Sequence, residues 1–152
     1  MTDQTPNAFL RNTLATIAYR FQKSVSQSSD EFGSFSPGNR ARTTSEIVNH
    51  MYHVLRSTKE FIQNGEFSKE APSKLTLKEE TDRFNSELRE LDSLLLQEDL
   101  GISYANRLFQ GPLSDILTHI GQISMMSRLN GSPISGEDFS SAPIEIGRLN
   151  YF

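Results

Sequence analysis

Apolar residues recur at intervals of three and four in four separate segments of the chain. This spacing places them on one face of an α-helix, because the helix turns once in about 3.6 residues. The pattern predicts helices over about residues 6–28, 44–64, 77–99 and 112–129. No run of alternating β-branched residues indicates a strand, so the predicted class is all-α. The stripe residues are Leu10, Leu14, Ile17, Phe21, Val25, Ile47, Met51, Val54, Leu55, Phe61, Ile62, Phe84, Leu88, Leu91, Leu95, Ile116, Leu117, Ile120 and Ile123.

Capping signals mark the ends of the two middle helices. Thr43 and Glu46 have the spacing of a capping box, and Thr76 and Glu79 repeat it. In such a box the hydroxyl and the carboxylate each accept one backbone N–H that the helix leaves unpaired. Gly65 follows the second helix where a left-handed residue is favoured. These signals predict helices that begin near residues 44 and 77.

The connections are polar and long. They cover residues 28–42, 65–75 and 100–111, and Pro112 is typical of the first position of the last helix. A helix of 20 residues is about 30 Å long, whereas an extended connection from residue 65 to 76 spans about 40 Å. The second connection can therefore return along the bundle, which allows the second and third helices to be parallel.

We expect residues 1–152 to form a single domain, a four-helix bundle with an irregular C-terminal tail. The tail covers residues 132–152 and contains two prolines and two glycines. Four of its apolar residues are predicted to pack on the bundle surface: Phe139, Ile144, Ile146 and Phe152.

Composition excludes several classes of function. The net charge is −4, and the 15 Lys and Arg residues are scattered rather than striped, so we expect no nucleic-acid partner. No basic start precedes an apolar run, and no segment approaches the roughly 20 apolar residues that span a membrane. We therefore expect a cytoplasmic location and no membrane partner. No cysteine is present, so any metal must be bound by His, Asp, Glu or main-chain oxygen.

The three histidines, His50, His53 and His119, all lie on predicted helices. Asp115 precedes His119 by four residues, which places both side chains on one helical face where they can chelate one ion. His50 lies at the edge of the apolar stripe of the second helix. His50, Asp115 and His119 together offer two imidazoles and one carboxylate from facing helices, and bundle metal sites are commonly built in this way.

Each of these residues also has a structural interpretation. Asp115 lies in the first predicted turn of its helix, where the helix dipole favours any acid. His50 can be a hydrogen-bonded histidine at the edge of the core, and His53 a solvated one. Glu46 is explained by its cap, and its rival role is to orient His50. Gln122 continues the face of His119 and is a further candidate for supporting a ligand.

Other side chains are expected to be structural. Met125 and Met126 are typical of core residues. The paired acids Glu79–Glu80 and Glu87–Glu90 are typical of solvated helix surface. No serine lies in a nucleophile-elbow pattern and no Gly-rich phosphate loop is present.

Three motifs resemble segments of the DinB/YfiT-like superfamily. In residues 111–122, GPLSDILTHIGQ, a histidine precedes a Gly-Gln pair, as in the fourth helix of that superfamily. Residues 128–133 and 136–139, RLNGSP and GEDF, resemble the segment beyond that helix. Residues 44–51, TSEIVNHM, resemble its second helix, which carries an early metal-ligating histidine. The resemblance covers the second and fourth helices well and the others only by length and pattern.

The resemblance implies an up-down-down-up four-helix bundle, often a homodimer, with a divalent transition metal such as nickel or zinc. Carried over by position, the ligands are His50 and His119, with Asp115 where the superfamily often has a histidine. This departure makes the site harder and richer in oxygen, or leaves it degenerate and without metal. Some relatives are thiol-dependent transferases or isomerases that use a low-molecular-weight thiol, whose thiolate the metal would stabilise.

The leading hypothesis is a DinB-like protein that binds a divalent metal and performs an unassigned reaction, of hydrolytic or thiol-transfer type, on a small molecule. The alternative is a non-catalytic dimeric helical scaffold or ligand-binding protein with a degenerate site. A third hypothesis, ranked below these, is an iron oxygenase, because two histidines and one carboxylate also form the facial triad of such enzymes.

Overall fold

The computed structural model describes residues 5–152, which form helices and connections without any strand. The all-α prediction is therefore confirmed for this part of the chain. One π-helical turn, Phe109–Leu113, joins the last two α-helices into a single rod, so that four rods make the bundle. The α-helices are α1 (Pro6–Val25), α2 (Thr44–Asn64), α3 (Leu77–Gln97), α4 (Ile102–Leu108) and α5 (Ser114–Leu129), with 3₁₀ turns at Asp30–Ser34 and Phe139–Ser141.

Both predicted capping boxes are present. The Thr43 hydroxyl accepts the N–H of Glu46 at 3.2 Å, and the Glu46 carboxylate accepts the N–H of Thr43 at 3.0 Å. Thr76 and Glu79 make the same reciprocal pair at the start of α3. Gly65 ends α2 with φ 85°, a left-handed conformation that favours glycine. These local signals explain why the starts of α2 and α3 agree with the sequence prediction.

The cap formed by Thr43 is expected to contribute measurably to the free energy of unfolding. We expect Thr43→Ala to lower the free energy of unfolding by about 1 kcal/mol, because one backbone N–H at the start of α2 loses its partner. Urea unfolding followed by circular dichroism measures the change. Thr118→Ala is the matched control, since Thr118 is exposed within α5 and alanine is the better helix former. An equal loss in both variants would contradict the capping role.

The last helical rod differs from the prediction. A helix beginning at Pro112 is wrong: the rod begins at Ile102 and Pro112 lies inside the π-helical turn. Proline removes one backbone donor and clashes with the carbonyl one turn earlier, and the wider π turn accommodates both effects. The hydroxyl of Ser114 donates to the carbonyl of Phe109 within this turn. Gly101 therefore caps the start of α4.

Two other helices are shorter than predicted. α1 ends at Val25 rather than near residue 28, and α3 ends at Gln97 rather than near residue 99. Helix ends fray and lack a sharp sequence signal unless a cap is present. None of the helices in residues 5–152 combines the length and the apolarity needed to cross a membrane.

Polar contacts between the rods show which of their ends lie side by side. Asn7, at the start of α1, donates to the carbonyls of Leu95 and Glu98 at the end of α3, at 2.8 and 2.6 Å. In α2 and α3, by contrast, residues near the start of one helix contact residues near the start of the other. Asn49 donates to Glu80 early in both helices, and Lys59 donates to Glu90 about three turns later in both. Tyr104 in α4 donates to the carbonyl of Phe61 near the end of α2, at 3.2 Å.

Two acids predicted to be solvated are buried in this interface. Glu80 is inaccessible to solvent, and its carboxylate accepts hydrogen bonds from Asn49, Arg83 and the N–H of Leu75. Glu87 lies 2.7 Å from the Lys59 ammonium. Burial raises the pKa of Glu87 although this ion pair opposes the shift. The solvated-surface prediction is wrong for both residues because α2 and its following connection cover them and supply partners that lie far away in the sequence.

The tail packs against α1. The Gln22 side chain donates to the carbonyl of Leu149 and accepts the N–H of Tyr151, both at 2.8 Å. Leu149 is buried and joins the core, although no helical period marked it. Phe139 stacks against the Arg20 guanidinium at 4.0 Å from the ring centroid. The tail is thus irregular, as predicted, and is held by side chains of α1.

The core prediction is wrong for one methionine, and the apolar residues of the tail differ in how far they are covered. Met126 is buried, but Met125 is 58 % exposed and is no core residue. Phe152 packs on Tyr19 of α1, as predicted, although 60 % of the residue remains exposed, and Ile146 is exposed. Met125 directly precedes the buried Met126, about 100° away around the helix, and therefore points away from the core.

Candidate metal centre

Two helices bring three potential ligands together. The Asp115 Oδ2 atom lies 3.4 Å from His50 Nε2 and 3.5 Å from His119 Nε2. One ligand atom from each residue lies within 4.8 Å of the others. α2 supplies His50, and α5 supplies the other two from successive turns of one face. The three residues singled out in the sequence therefore converge on one point.

The separations between Asp115 and the two histidines are compatible with a shared metal ion. Bonds of about 2.0–2.1 Å in a tetrahedral site separate two ligand atoms by roughly 3.3–3.4 Å. Both contacts to Asp115 Oδ2 are close to this separation, and both exceed the usual length of an N–H···O hydrogen bond, about 2.7–3.2 Å. One carboxylate oxygen thus faces two ring nitrogens at ligand-to-ligand distances.

A neighbouring amide orients His119. The Nδ1 atom lies 2.8 Å from Gln122 Oε1, so Nδ1–H donates to the amide oxygen and Nε2 carries the lone pair. This Nε2 atom is the ring nitrogen that lies 3.5 Å from Asp115 Oδ2. The imidazole of His119 is largely buried and meets the His50 ring edge to face at 4.9 Å between centroids. Gln122, a sequence candidate for supporting a ligand, thus contacts the ligand itself, as supporting residues of metal sites do.

The electrostatics of the site favour a neutral His50. Partial burial lowers the pKa of His50, and the positive charge of Arg42 and the proximity of His119 lower it further. Asp115 opposes these effects without reversing them. An imidazole whose pKa lies below 6.5 is largely unprotonated at neutral pH, and only the unprotonated ring binds a metal.

The helix dipole does not account for Asp115. Although Asp115 lies in the first turn of α5, the rod continues backward through the π-helical turn into α4. The N–H of Ser114 is already bonded to the carbonyls of Gly111 and Phe109. The favourable field at a helix start comes from unpaired N–H groups, and these lie a full helix earlier. Single-turn π bulges are frequent at functional sites.

The two remaining candidates have other contacts. The Glu46 carboxylate serves the cap of α2 and lies 3.4 Å from the Lys74 ammonium. His53 Nε2 lies 3.3 Å from the carbonyl of Ser68 in the connection between α2 and α3. Within residues 5–152 neither makes a hydrogen bond to the three converging side chains.

A cavity of about 450 Å³ opens beside the three potential ligands. His50, Asp115 and His53 form one side, and the π-helical turn and the second connection form the others. Sequence reasoning missed these last contributions, although the Gly111–Pro112 pair interrupts the helical pattern there. The lining residues are His50, His53, Val54, Ser57, Phe67, Ser68, Gly111, Pro112 and Asp115.

Two imidazoles and one carboxylate are a donor set that proteins use for zinc, nickel and iron. Three protein ligands leave further coordination positions for water or a small molecule. The adjoining cavity has a size typical of small-molecule sites. Comparison of the chain with family models, with curated proteins and with solved structures found no match.

Proposed function

We propose that the chain is a DinB-like protein that binds a divalent transition metal through His50, Asp115 and His119. The observation that carries the proposal is the convergence of two imidazole nitrogens and one carboxylate oxygen within 4.8 Å. The Gln122 contact supports it, because metal-ligating histidines almost always donate their second ring N–H to an oxygen.

The donor set narrows the choice of metal. Imidazole suits zinc, nickel and iron, while the single carboxylate adds a harder oxygen donor. With no cysteine in the chain, the site has no thiolate ligand of its own. A bound metal of this kind supplies Lewis acidity, which lowers the pKa of a water or thiol. The reaction is therefore of hydrolytic or thiol-transfer type, acting on a small molecule admitted by the adjoining cavity.

We also infer an up-down-down-up order of the four rods. The start of α1 lies beside the end of α3, while early residues of α2 lie beside early residues of α3. Tyr104, near the start of the last rod, reaches the end of α2. These contacts support a parallel second and third rod between two rods of the opposite direction, as the resemblance implies.

The metal content of the protein tests the proposal. Untagged protein, reloaded separately with zinc, nickel and iron(II) and then desalted, is analysed for metal. We expect about one equivalent of at least one of these metals, because three convergent ligands suffice for a site with open positions. Less than about a tenth of an equivalent of all three would overturn the proposal.

A further inference from the structure

A second cavity, of about 350 Å³, lies on the other side of His119. His119 and Gln122 belong to its wall and Asp115 does not, so the cavity borders the candidate metal centre at His119. Apolar side chains of α2 and α5 form much of the remaining surface, and the connection before α2 closes it. The lining residues outside the centre are Pro37, Ala41, Arg42, Ile47, Met125 and Met126.

The connection holds an uncommon backbone conformation here. Gly38, Asn39 and Arg40 all have positive φ values, of 99°, 53° and 64°. Left-handed conformations are unfavourable for residues other than glycine, and strained backbone clusters at binding and catalytic sites. The Ser36 hydroxyl stabilises the turn, since it donates to the carbonyl of Ala41 at 2.9 Å and accepts the N–H of Gly38 at 3.2 Å.

This turn brings Arg42 to the mouth of the second cavity. Within residues 5–152 the Arg42 guanidinium makes no hydrogen bond and no ion pair with a carboxylate. Glu46, the acid one turn into α2, is engaged with its cap and with Lys74. Arg42 is exposed and lines the second cavity together with His119. A cation without an anionic partner therefore stands at the edge of an apolar cavity.

The charge of Arg42, near the candidate metal centre, indicates what kind of molecule the cavity binds. A second positive charge opposes metal binding, so it weakens the site unless an anion neutralises it. Guanidinium groups bind carboxylates through two parallel hydrogen bonds. A single guanidinium above apolar walls suits one carboxylate on an apolar body better than a phosphate, which usually binds several donors.

We infer that the second cavity binds a small molecule with an apolar body, whose carboxylate pairs with Arg42. The apolar body lies against Ile47, Met125 and Met126, and the remainder of the molecule reaches the face of His119. That this molecule is the substrate of the metal centre rests on the proposed function. That the cavity binds a carboxylate at Arg42 does not depend on a bound metal. It also accounts for the exposed Met125, which borders the cavity.

Paired probes test the inference. 3-Phenylpropionate and the uncharged 3-phenylpropan-1-ol are titrated into zinc-treated and metal-free protein, and binding is followed by NMR chemical shifts. We expect the carboxylate to bind at least about tenfold more tightly than the alcohol. Arg42→Gln should remove this preference. Arg42→Lys should retain part of it, because the charge remains but the two-point contact does not. Arg40→Gln, in the same turn but outside the cavity, should leave it unchanged.

The outcomes separate this inference from the proposed function. A preference for the carboxylate that depends on Arg42 supports the inference, even if metal analysis shows no bound metal. Equal affinity for the two probes overturns it, as does a preference that survives Arg42→Gln. The metal content, measured on the same samples, decides the metal site independently of either result.

Discussion

Replacing His119 with alanine is expected to abolish the stabilisation of the protein by zinc. At free zinc of about 100 times the dissociation constant, the folded protein gains about 2.7 kcal/mol, a rise in Tm of about 5–10 °C for a domain of this size. Loss of a residue that merely supports a ligand costs 10- to 100-fold in metal affinity, so loss of His119 itself should cost more than about 100-fold. Thermal melts with and without zinc measure the effect.

His53→Ala is the matched control for this substitution. His53 lines the cavity that His50 and Asp115 also line, and its substitution removes the same imidazole ring, but His53 lies outside the converging triad. Its zinc-dependent rise in Tm should equal that of the unaltered protein. Because each variant is compared with itself without zinc, any loss of intrinsic stability cancels. Equal losses in the two variants would place the metal elsewhere or show that zinc binds nonspecifically.

The rods could be predicted from the sequence because their signals are local. A period of 3.6 residues marks the buried face, and the pair Thr43 and Glu46 marks a start within one turn of chain. Neither signal depends on what packs against the helix. Where no such signal exists, as at the end of α1, the prediction was three residues too long.

The start of the last rod could not be predicted from the same rules. Pro112 is typical of a first helical position, and a single chain segment does not distinguish a start from an interruption. Phe109 packs on Phe9 of α1, with 5.4 Å between the ring centroids. Such a contact involves distant parts of the sequence, and it accompanies a π-helical turn that propensity alone disfavours.

Some residues of the candidate site could likewise be predicted from local sequence spacing, and others could not. Asp115 and His119 could be paired from sequence because they lie one turn apart, whereas the convergence of His50 depends on how two helices pack. Arg42 and Phe67 carry no periodic pattern, since they lie in connections. Their positions beside the site follow from the turn at residues 38–40 and from the path of the second connection.

The buried acids show the limit of a polarity rule. Glu80 resembles any surface acid in the sequence, yet three donors satisfy its carboxylate within the interface of α2 and α3. A buried carboxylate is tolerated only when such partners are present. One of them, the N–H of Leu75, comes from the connection before α3. A sequence pattern does not reveal a partner of this kind.

The largest loss of stability is expected from Phe84→Ala. Phe84 is inaccessible to solvent, and its ring meets that of Phe21 at 4.8 Å between centroids, which joins α3 to α1. Truncation removes the apolar surface of the ring and leaves a cavity, at a cost of about 3–5 kcal/mol in the free energy of unfolding. Phe84→Leu retains most of the volume and should lose much less.

Phe152→Ala is the control variant against which the cost of Phe84→Ala is compared. It deletes the same ring from a position that is largely exposed and touches Tyr19, so its cost should stay within about 1 kcal/mol. Urea unfolding gives the midpoint and the slope of each variant, and an unchanged slope assigns the whole difference to the folded state. If Phe84→Ala cost no more than Phe152→Ala, the contact between α1 and α3 would not be the centre of the core. If the large difference is found, the contact that joins α1 to α3 is part of the packing that fixes the bundle in which α2 and α5 hold the candidate metal ligands.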